Sequence, residues 1–173
     1  MPGEPTRIHG VRFAGYRPGV IADIVGLHAR YYSQHFGFGA RFETLVAREL
    51  AEFVVAHDPQ QDLLLAAMEG DTLLGAIVID HTVSAAGAGA KLRWFIVGDA
   101  ARGRGLGRAL MARAMAFCDA RAYAPVTLTT FRGLDAARHL YETFGFTLVK
   151  EDTIDRWHGG VGEQTFARPA PMT

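Results

Sequence analysis

Apolar positions along the chain fall into two kinds of period. Between Arg41 and His57, the residues Phe42, Leu45, Val46, Phe53 and Val54 recur at helical spacing. Arg41, Arg48 and Glu52 take the opposite side, so this stretch predicts an amphipathic helix. A helical stretch also opens at Pro18-Gly19 and runs to about His35, where Phe36-Gly37-Phe38-Gly39 breaks it. Leu106, Leu110, Ala114 and Phe117 lie on one face of a third helix, from Gly103 to about Arg121. Leu134 to Phe144 predicts a fourth, ended by Gly145. Strand-length runs are shorter. Ile8, Val11 and Phe13 begin a first strand. Leu63–Met68 and Leu73–Ile79 flank Glu69-Gly70-Asp71, the tight connection of a hairpin. Leu92–Val97, Val126–Thr130, Phe146–Val149 and Thr165–Ala167 complete the set. The stretch from Val83 to Ala90, VSAAGAGA, reads as a loop.

The predicted order is β, α, α, β, β, β, α, β, α, β, β. A strand meander followed by strand–helix–strand crossovers implies an α/β (α+β mixed) chain with a mixed sheet and helices on both faces. No Pro- or Ser-rich linker interrupts it, so one domain spanning residues 1–173 is expected.

Composition narrows the classes. At 173 residues, ~70% of the unfolded chain's surface can be buried, which is enough for a core without disulfides or a structural metal. Hydrophobic residues make up 49% and charged residues 21%, which excludes a disordered chain. Cys118 is the sole cysteine and can form no internal disulfide, so a reducing cytoplasm is the expected compartment. No apolar run reaches the ~20 residues of a membrane span, and the opening MPGEPTRIHG lacks the apolar core of a secretory signal. The histidines show no metal-ligand spacing, so no metal is expected.

Eighteen basic residues balance 18 acidic ones, which argues against a nucleic-acid coat. The balance is uneven along the chain. Residues 91–113, KLRWFIVGDAARGRGLGRALMAR, hold six basic residues and one acid, against about 2.4 basic residues for even spacing. Within this window a strand runs into Arg102-Gly103-Arg104-Gly105-Leu106-Gly107 and then a helix. Glycines there leave the first backbone N–H groups of the helix open, and the dipole adds positive charge. Such a site takes phosphate, with Arg102, Arg104 and Arg108 around it. A dinucleotide fingerprint fails because its third glycine would fall on Arg108, and no P-loop motif is present.

Arg102-x-x-Gly105-x-Gly107 matches the [QR]-x-x-G-x-[GA] acetyl-CoA signature of the GNAT superfamily of N-acetyltransferases. Ala137-Arg138-His139-Leu140-Tyr141-Glu142-Thr143-Phe144-Gly145-Phe146 resembles the A-x-x-x-Y-E-x-x-G-F element of the same superfamily, 34 residues beyond Gly107. The opening HGVRFAGYRPGVIADIVGLHARYYSQHFGFGARFETLVA is similar to the GNAT domain fused to MarR-type regulators, here without a winged-helix segment. One departure is Leu134, where many GNAT sequences carry Asn.

The resemblance implies a mixed, mostly antiparallel sheet of six to seven strands with about four helices, and acetyl-CoA as acyl donor. It implies that Phe95, Ile96 and Val97 pair with the pantetheine arm, and that Arg102 to Arg108 (Gly103, Arg104, Gly105, Leu106 and Gly107 between them) hold the pyrophosphate. It makes Tyr141 the proton donor to the departing thiolate. Tyr141 also suits a helix aromatic packed on Phe144 and Phe146, and sequence leaves both readings open. The acceptor would be a small-molecule or peptide amine. His28, Tyr31, Tyr32, His35, Phe36, Phe38 and Phe42 concentrate in an aromatic-rich first helical region and are candidates for its pocket, Tyr31, Tyr32, His35 and Phe38 foremost, or for plain core packing. Asp80, His81 and Glu69 are candidate bases, and His158 lies in a turn bordering the acceptor entrance. Dimers are common in the superfamily, so a homodimer is compatible with it. A non-catalytic acyl-CoA sensor is the alternative function.

Overall fold

The computed structural model describes residues 8, 10–82, 88–153 and 161–170. His158 and most of the Val83–Ala90 stretch lie outside the described residues.

The Glu69-Gly70-Asp71 connection makes the tightest of the turns. Strands β2 (Leu63–Glu69) and β3 (Thr72–Asp80) pair antiparallel, with Glu69 opposite Thr72 and two residues between them. Gly70 takes φ +58°, a conformation hairpin turns of this length require. β1 (Arg12–Ala14) adds to β2, and β4 (Ala90–Val97) adds to β3, both antiparallel. β5 (Val126–Phe131), β6 (Thr147–Asp152) and β7 (Glu163–Arg168) complete seven strands in the order β1-β2-β3-β4-β5-β7-β6. Among the described residues only the β4–β5 pair is parallel, as a helical crossover between two strands demands.

Helices α1 (Val20–Phe36) and α2 (Ala40–Ala56) cover one face, and α3 (Leu106–Ala120) and α4 (Asp135–Thr143) the other. Two cores result. Ile77, Ile79 and Leu92 pack with Leu106, Leu110 and Met111 of α3. Ala76 and Val78 pack with Ile24 of α1 and Leu50 and Phe53 of α2. β3 is therefore buried on both faces, which is why it reads as a continuous apolar run rather than an alternating one.

The third helix starts at the first residue of its apolar period, Leu106, rather than at Gly103. Asp99–Ala101 forms a 3₁₀ turn, and Gly103 and Gly105 both take φ +75°, so helical geometry begins only at Leu106. β6 and β7 extend further than their apolar cores, because outward positions on an outer strand pair are polar. Cys118 is buried in α3 and its thiol is pushed up to about 12 by burial, so it is a packed hydrophobe rather than a nucleophile.

Candidate active site

The sheet opens where its one parallel pair begins. β4 pairs with β3 from Lys91 to Val97, but with β5 only at Ala90–Val126 and Lys91–Thr127. Beyond those rungs the facing edges of Leu92–Val97 and Leu128–Phe131 diverge, leaving unpaired backbone N–H and C=O groups along a wedge. A bulge adds to the divergence. Trp94 and Phe95 together oppose the single residue Ile77, between the Arg93–Val78 and Ile96–Ala76 rungs. Trp94 takes φ +45°. A bulky residue in that region costs ~1–3 kcal/mol and persists only where its surroundings hold it. Arg93 supplies part of that hold. Its guanidinium lies 4.1 Å from the Trp94 ring centroid and bridges Glu49 of α2 to Asp80 of β3.

On the α3/α4 side of the wedge lies a cleft of about 550 Å³. Phe95, Ile96 and Val97 line it from β4, Arg102, Gly103, Gly105, Leu106 and Gly107 from the loop and helix start, and Leu134 to Ala137 from the start of α4. Gly103 and Gly105 turn the loop so that successive amides converge. Among the described residues, the N–H groups of Gly103, Gly105, Leu106, Gly107 and Arg108 donate to no backbone carbonyl. Together with the N-terminus of a 15-residue helix they form an anion-binding concavity. These groups fit a pyrophosphate, and the open edge of β4 fits an amide-bearing arm.

The three arginines around the loop divide. Arg102 lines the cleft, donates to the Tyr31 hydroxyl at 2.8 Å and pairs with Asp99 at 2.9 Å. Arg104 pairs with Glu69 at 2.7 Å, which holds that carboxyl below its ordinary range. Arg108 stacks over Phe144, 5.9 Å from its centroid. The side chains of Arg104 and Arg108 do not line the cleft, so the expected cluster of three arginines reduces to Arg102 plus backbone amides.

Tyr141 sits on α4 at the throat of the wedge, only 5% exposed. It packs on Phe95, Phe146 and Phe166 at 6.0–6.2 Å between centroids, and its hydroxyl hydrogen-bonds Thr130 of β5. Burial raises its pKa well above that of a free phenol, so it stays protonated through the neutral range. Tyr141 is thus both a packed aromatic and a cavity-lining hydroxyl.

A second cavity of about 220 Å³ lies on the α1/α2 side. It shares Tyr32, Phe95 and Tyr141 with the first cleft, so Tyr141 stands where the two meet. His28, Glu49, Lys91, Arg93 and Trp94 also line it. His28 is buried, and its Nδ1–H donates to the Ile24 carbonyl at 2.9 Å. Burial lowers its pKa from 6.5 to about 4, so the ring is neutral at pH 7 and Nε2 carries a lone pair. Between pH 6.5 and 4 the unfolded chain binds a proton here that the folded chain does not. Stability therefore falls as pH drops through that window, by up to about 3 kcal/mol. Urea denaturation across this range should show a flatter pH dependence for His28→Gln than for the wild type.

The remaining sequence candidates are distributed as follows. Of the aromatic-rich region expected to form the acceptor pocket, His28, Tyr32 and Phe42 line the second cavity. Tyr31 faces the larger cleft instead. His35 is exposed, pairs with Asp99 at 3.0 Å and lines neither cavity, although its ring packs 4.4 Å from that of Tyr31. Phe38 is 2% exposed and stacks in a cluster with Tyr32, Phe42 and Phe131, so it is core. Asp80 lines neither cavity; its carboxylate is taken by Arg93 and by the Thr82 amide and hydroxyl. Its neighbour His81 is turned to Asp62 at 2.7 Å, and Glu69 is held by Arg104. None of the three candidate bases lines either of these two cavities. His28, Glu49 and Lys91 do; His28 belongs to the aromatic-rich region and Lys91 to the basic window, but no motif marks Glu49, and nothing local brings the three together because they come from three separate elements. Among the described residues no group of three or more His, Cys, Asp or Glu is placed to hold a metal, and no helix is long and apolar enough to cross a membrane.

The fold recurs in known structures. A GCN5-related N-acetyltransferase from Kribbella flavida superposes with a TM-score of 0.72 at 20% identity, over 92% of this chain and 98% of that one. An acetyltransferase from Streptococcus agalactiae gives 0.69 at 20% identity, over 93% and 99%. A nourseothricin acetyltransferase gives 0.56 at 27% identity, over 66% and 68%. A search of curated proteins finds no match. The model of the acetyltransferase (GNAT) family matches residues 22–146, a span that runs from α1 through the wedge, the amide loop and Tyr141. On that match, and with this fold, the chain belongs to the acetyltransferase (GNAT) family.

Proposed function

We propose that this protein is an N-acetyltransferase that moves an acetyl group from acetyl-CoA to a primary amine by direct attack in a ternary complex. The observation that carries the reading is the position of Tyr141, a protonated hydroxyl at the junction of two cavities that enter the wedge from opposite faces. One cavity suits a long phosphorylated donor and the other a small acceptor.

The donor supplies an activated acetyl thioester. The amides of Gly103 and Gly105 to Arg108 hold its pyrophosphate, and the free β4 edge at Phe95–Val97 aligns its arm. In the transfer a C–N bond forms as the thioester C–S bond breaks. The attacking amine gives up its proton to solvent, and Tyr141 donates its hydroxyl proton to the departing sulfur and is then reprotonated from solvent. Thr130 orients that hydroxyl from β5. Likeness of the opening segment to domains joined to MarR-type regulators, a cytoplasmic location and a homodimeric state belong to the same proposal.

The test is free-thiol release on mixing the protein with acetyl-CoA and a panel of amines, with the acetylated product identified by mass. Amine-dependent release is expected. Tight CoA binding with no release across the panel would turn the reading towards an acyl-CoA sensor.

A further inference from the structure

The second cavity is small and chemically uneven. Its volume of about 220 Å³ is the liquid share of about seven water molecules, which suits a compact occupant rather than a folded chain segment. Aromatic faces of Tyr32, Phe42, Trp94 and Phe131 form much of its wall. Two cations reach it, and they are in different states. Arg93 is committed to Glu49 and Asp80. Lys91 is half-buried and, among the described residues, makes no ion pair or hydrogen bond. It sits opposite Thr127 on the last rung at which β4 and β5 still pair, at the closed end of the wedge. Burial and the neighbouring Arg93 lower its pKa, against the pull of Glu49, Glu163 and Asp80, the last its partner across the β3–β4 register.

An ammonium group has three donors and no acceptor. With the Lys91 side chain half-buried, an oxygen anion brought by a ligand can take those donors in charge-assisted hydrogen bonds. Tyr141 and the neutral His28 line the same cavity, and His28 Nε2 offers a lone pair to an N–H donor. The cavity therefore presents, among its aromatic walls, a cation for an anion, and acceptors for an amine in His28 and in Glu49, whose carboxylate also pairs with Arg93.

We infer that the acceptor is a small primary amine that also carries a carboxylate, an amino-acid-like molecule. Lys91 binds the carboxylate, and the amine lies at the Tyr141 end of the cavity. This rests on the acetyl-transfer reading and specifies its second substrate.

The test uses matched pairs of nearly equal shape: alanine and alaninamide, leucine and leucinamide, phenylalanine and phenylalaninamide. Each is assayed with acetyl-CoA for kcat/KM, with the wild type, Lys91→Met and Lys91→Arg. The carboxamide is the more easily deprotonated amine, so reactivity alone favours it, and a preference for the acid reports recognition. The wild type should favour the acid by ~10-fold or more in at least one pair, the effect of one charge-assisted contact. Lys91→Met should bring the ratio to about one or below, and Lys91→Arg should restore it. The inference fails if no pair favours the acid, or if the preference survives in Lys91→Met. The same pairs are titrated calorimetrically onto protein saturated with CoA, where no transfer is possible. Lys91-dependent binding of the acid without thiol release in the first assay would overturn the transfer reading and leave the carboxylate site standing. Equal binding of acid and amide, or no binding of any acid, would overturn the site.

Discussion

Replacing Tyr141 by Phe should lower kcat by ~100-fold or more while changing KM for acetyl-CoA by less than about threefold. Phe keeps the ring, and with it the contacts to Phe95, Phe146 and Phe166. It removes only the hydroxyl and its bond to Thr130. The folded state should therefore lose about 1 kcal/mol, and a thermal melt should confirm that the variant is intact. A phenol this buried is a weaker acid than in water, but burial raises a thiolate beside it in the same way, so the two groups remain a workable donor and acceptor. Steady-state thiol release against acetyl-CoA concentration separates the effects. Unchanged turnover would show that Tyr141 is only a packed aromatic, the other role its place in the helix allows.

Gly107→Leu should abolish measurable donor binding, by ~100-fold or more, without unfolding the protein. Gly107 is in the first turn of α3 and faces the cleft. A Cβ there meets Leu140 at 3.4 Å, Phe95 at 3.6 Å and Val97 at 3.8 Å, all ordinary contacts. Gly107→Ala should accordingly fold and bind. The longer leucine side chain extends beyond those contacts, into the space between β4 and α4 that the donor's arm must enter. Helix propensity moves the other way, since Leu stabilises a helix by up to about 1 kcal/mol over Gly. Calorimetric titration with acetyl-CoA, run beside a thermal melt, should show binding lost while stability is kept or raised. Retained affinity in Gly107→Leu would mean that the donor does not pass between Phe95 and Leu140.

These two residues were visible because each stands in a contiguous motif. Gly105 and Gly107 sit just where a strand gives way to a helix, and backbone geometry needs no distant partner to make amides converge there. Tyr141 was visible in the same way, from the run Ala137–Phe146. Strand and helix order was legible because apolar period is a local property. Charge was legible only as a total. Six basic residues in one window suggested a common target, yet Arg93 turned to Glu49 and Asp80, Arg104 to Glu69 and Arg113 to the ring of Phe13. An arginine side chain is long enough to find any carboxylate within reach, and which one it finds depends on elements far away in the chain.

The acceptor side shows the limit most plainly. Phe38 and Tyr32 are six residues apart and equally aromatic, but one is enclosed by Phe42 and Phe131 and the other borders both cavities. Sequence by itself determined the element order, the mixed sheet and the amide loop, since these follow from hydrophobic period and glycine conformation within a few residues. Tertiary structure alone decided the bulge at Trp94, the wedge beside it and the meeting of His28, Glu49 and Lys91. Those arise where β4 stops pairing with β5 and two helices from elsewhere close over the gap, and packing of that kind leaves no periodic trace in the chain.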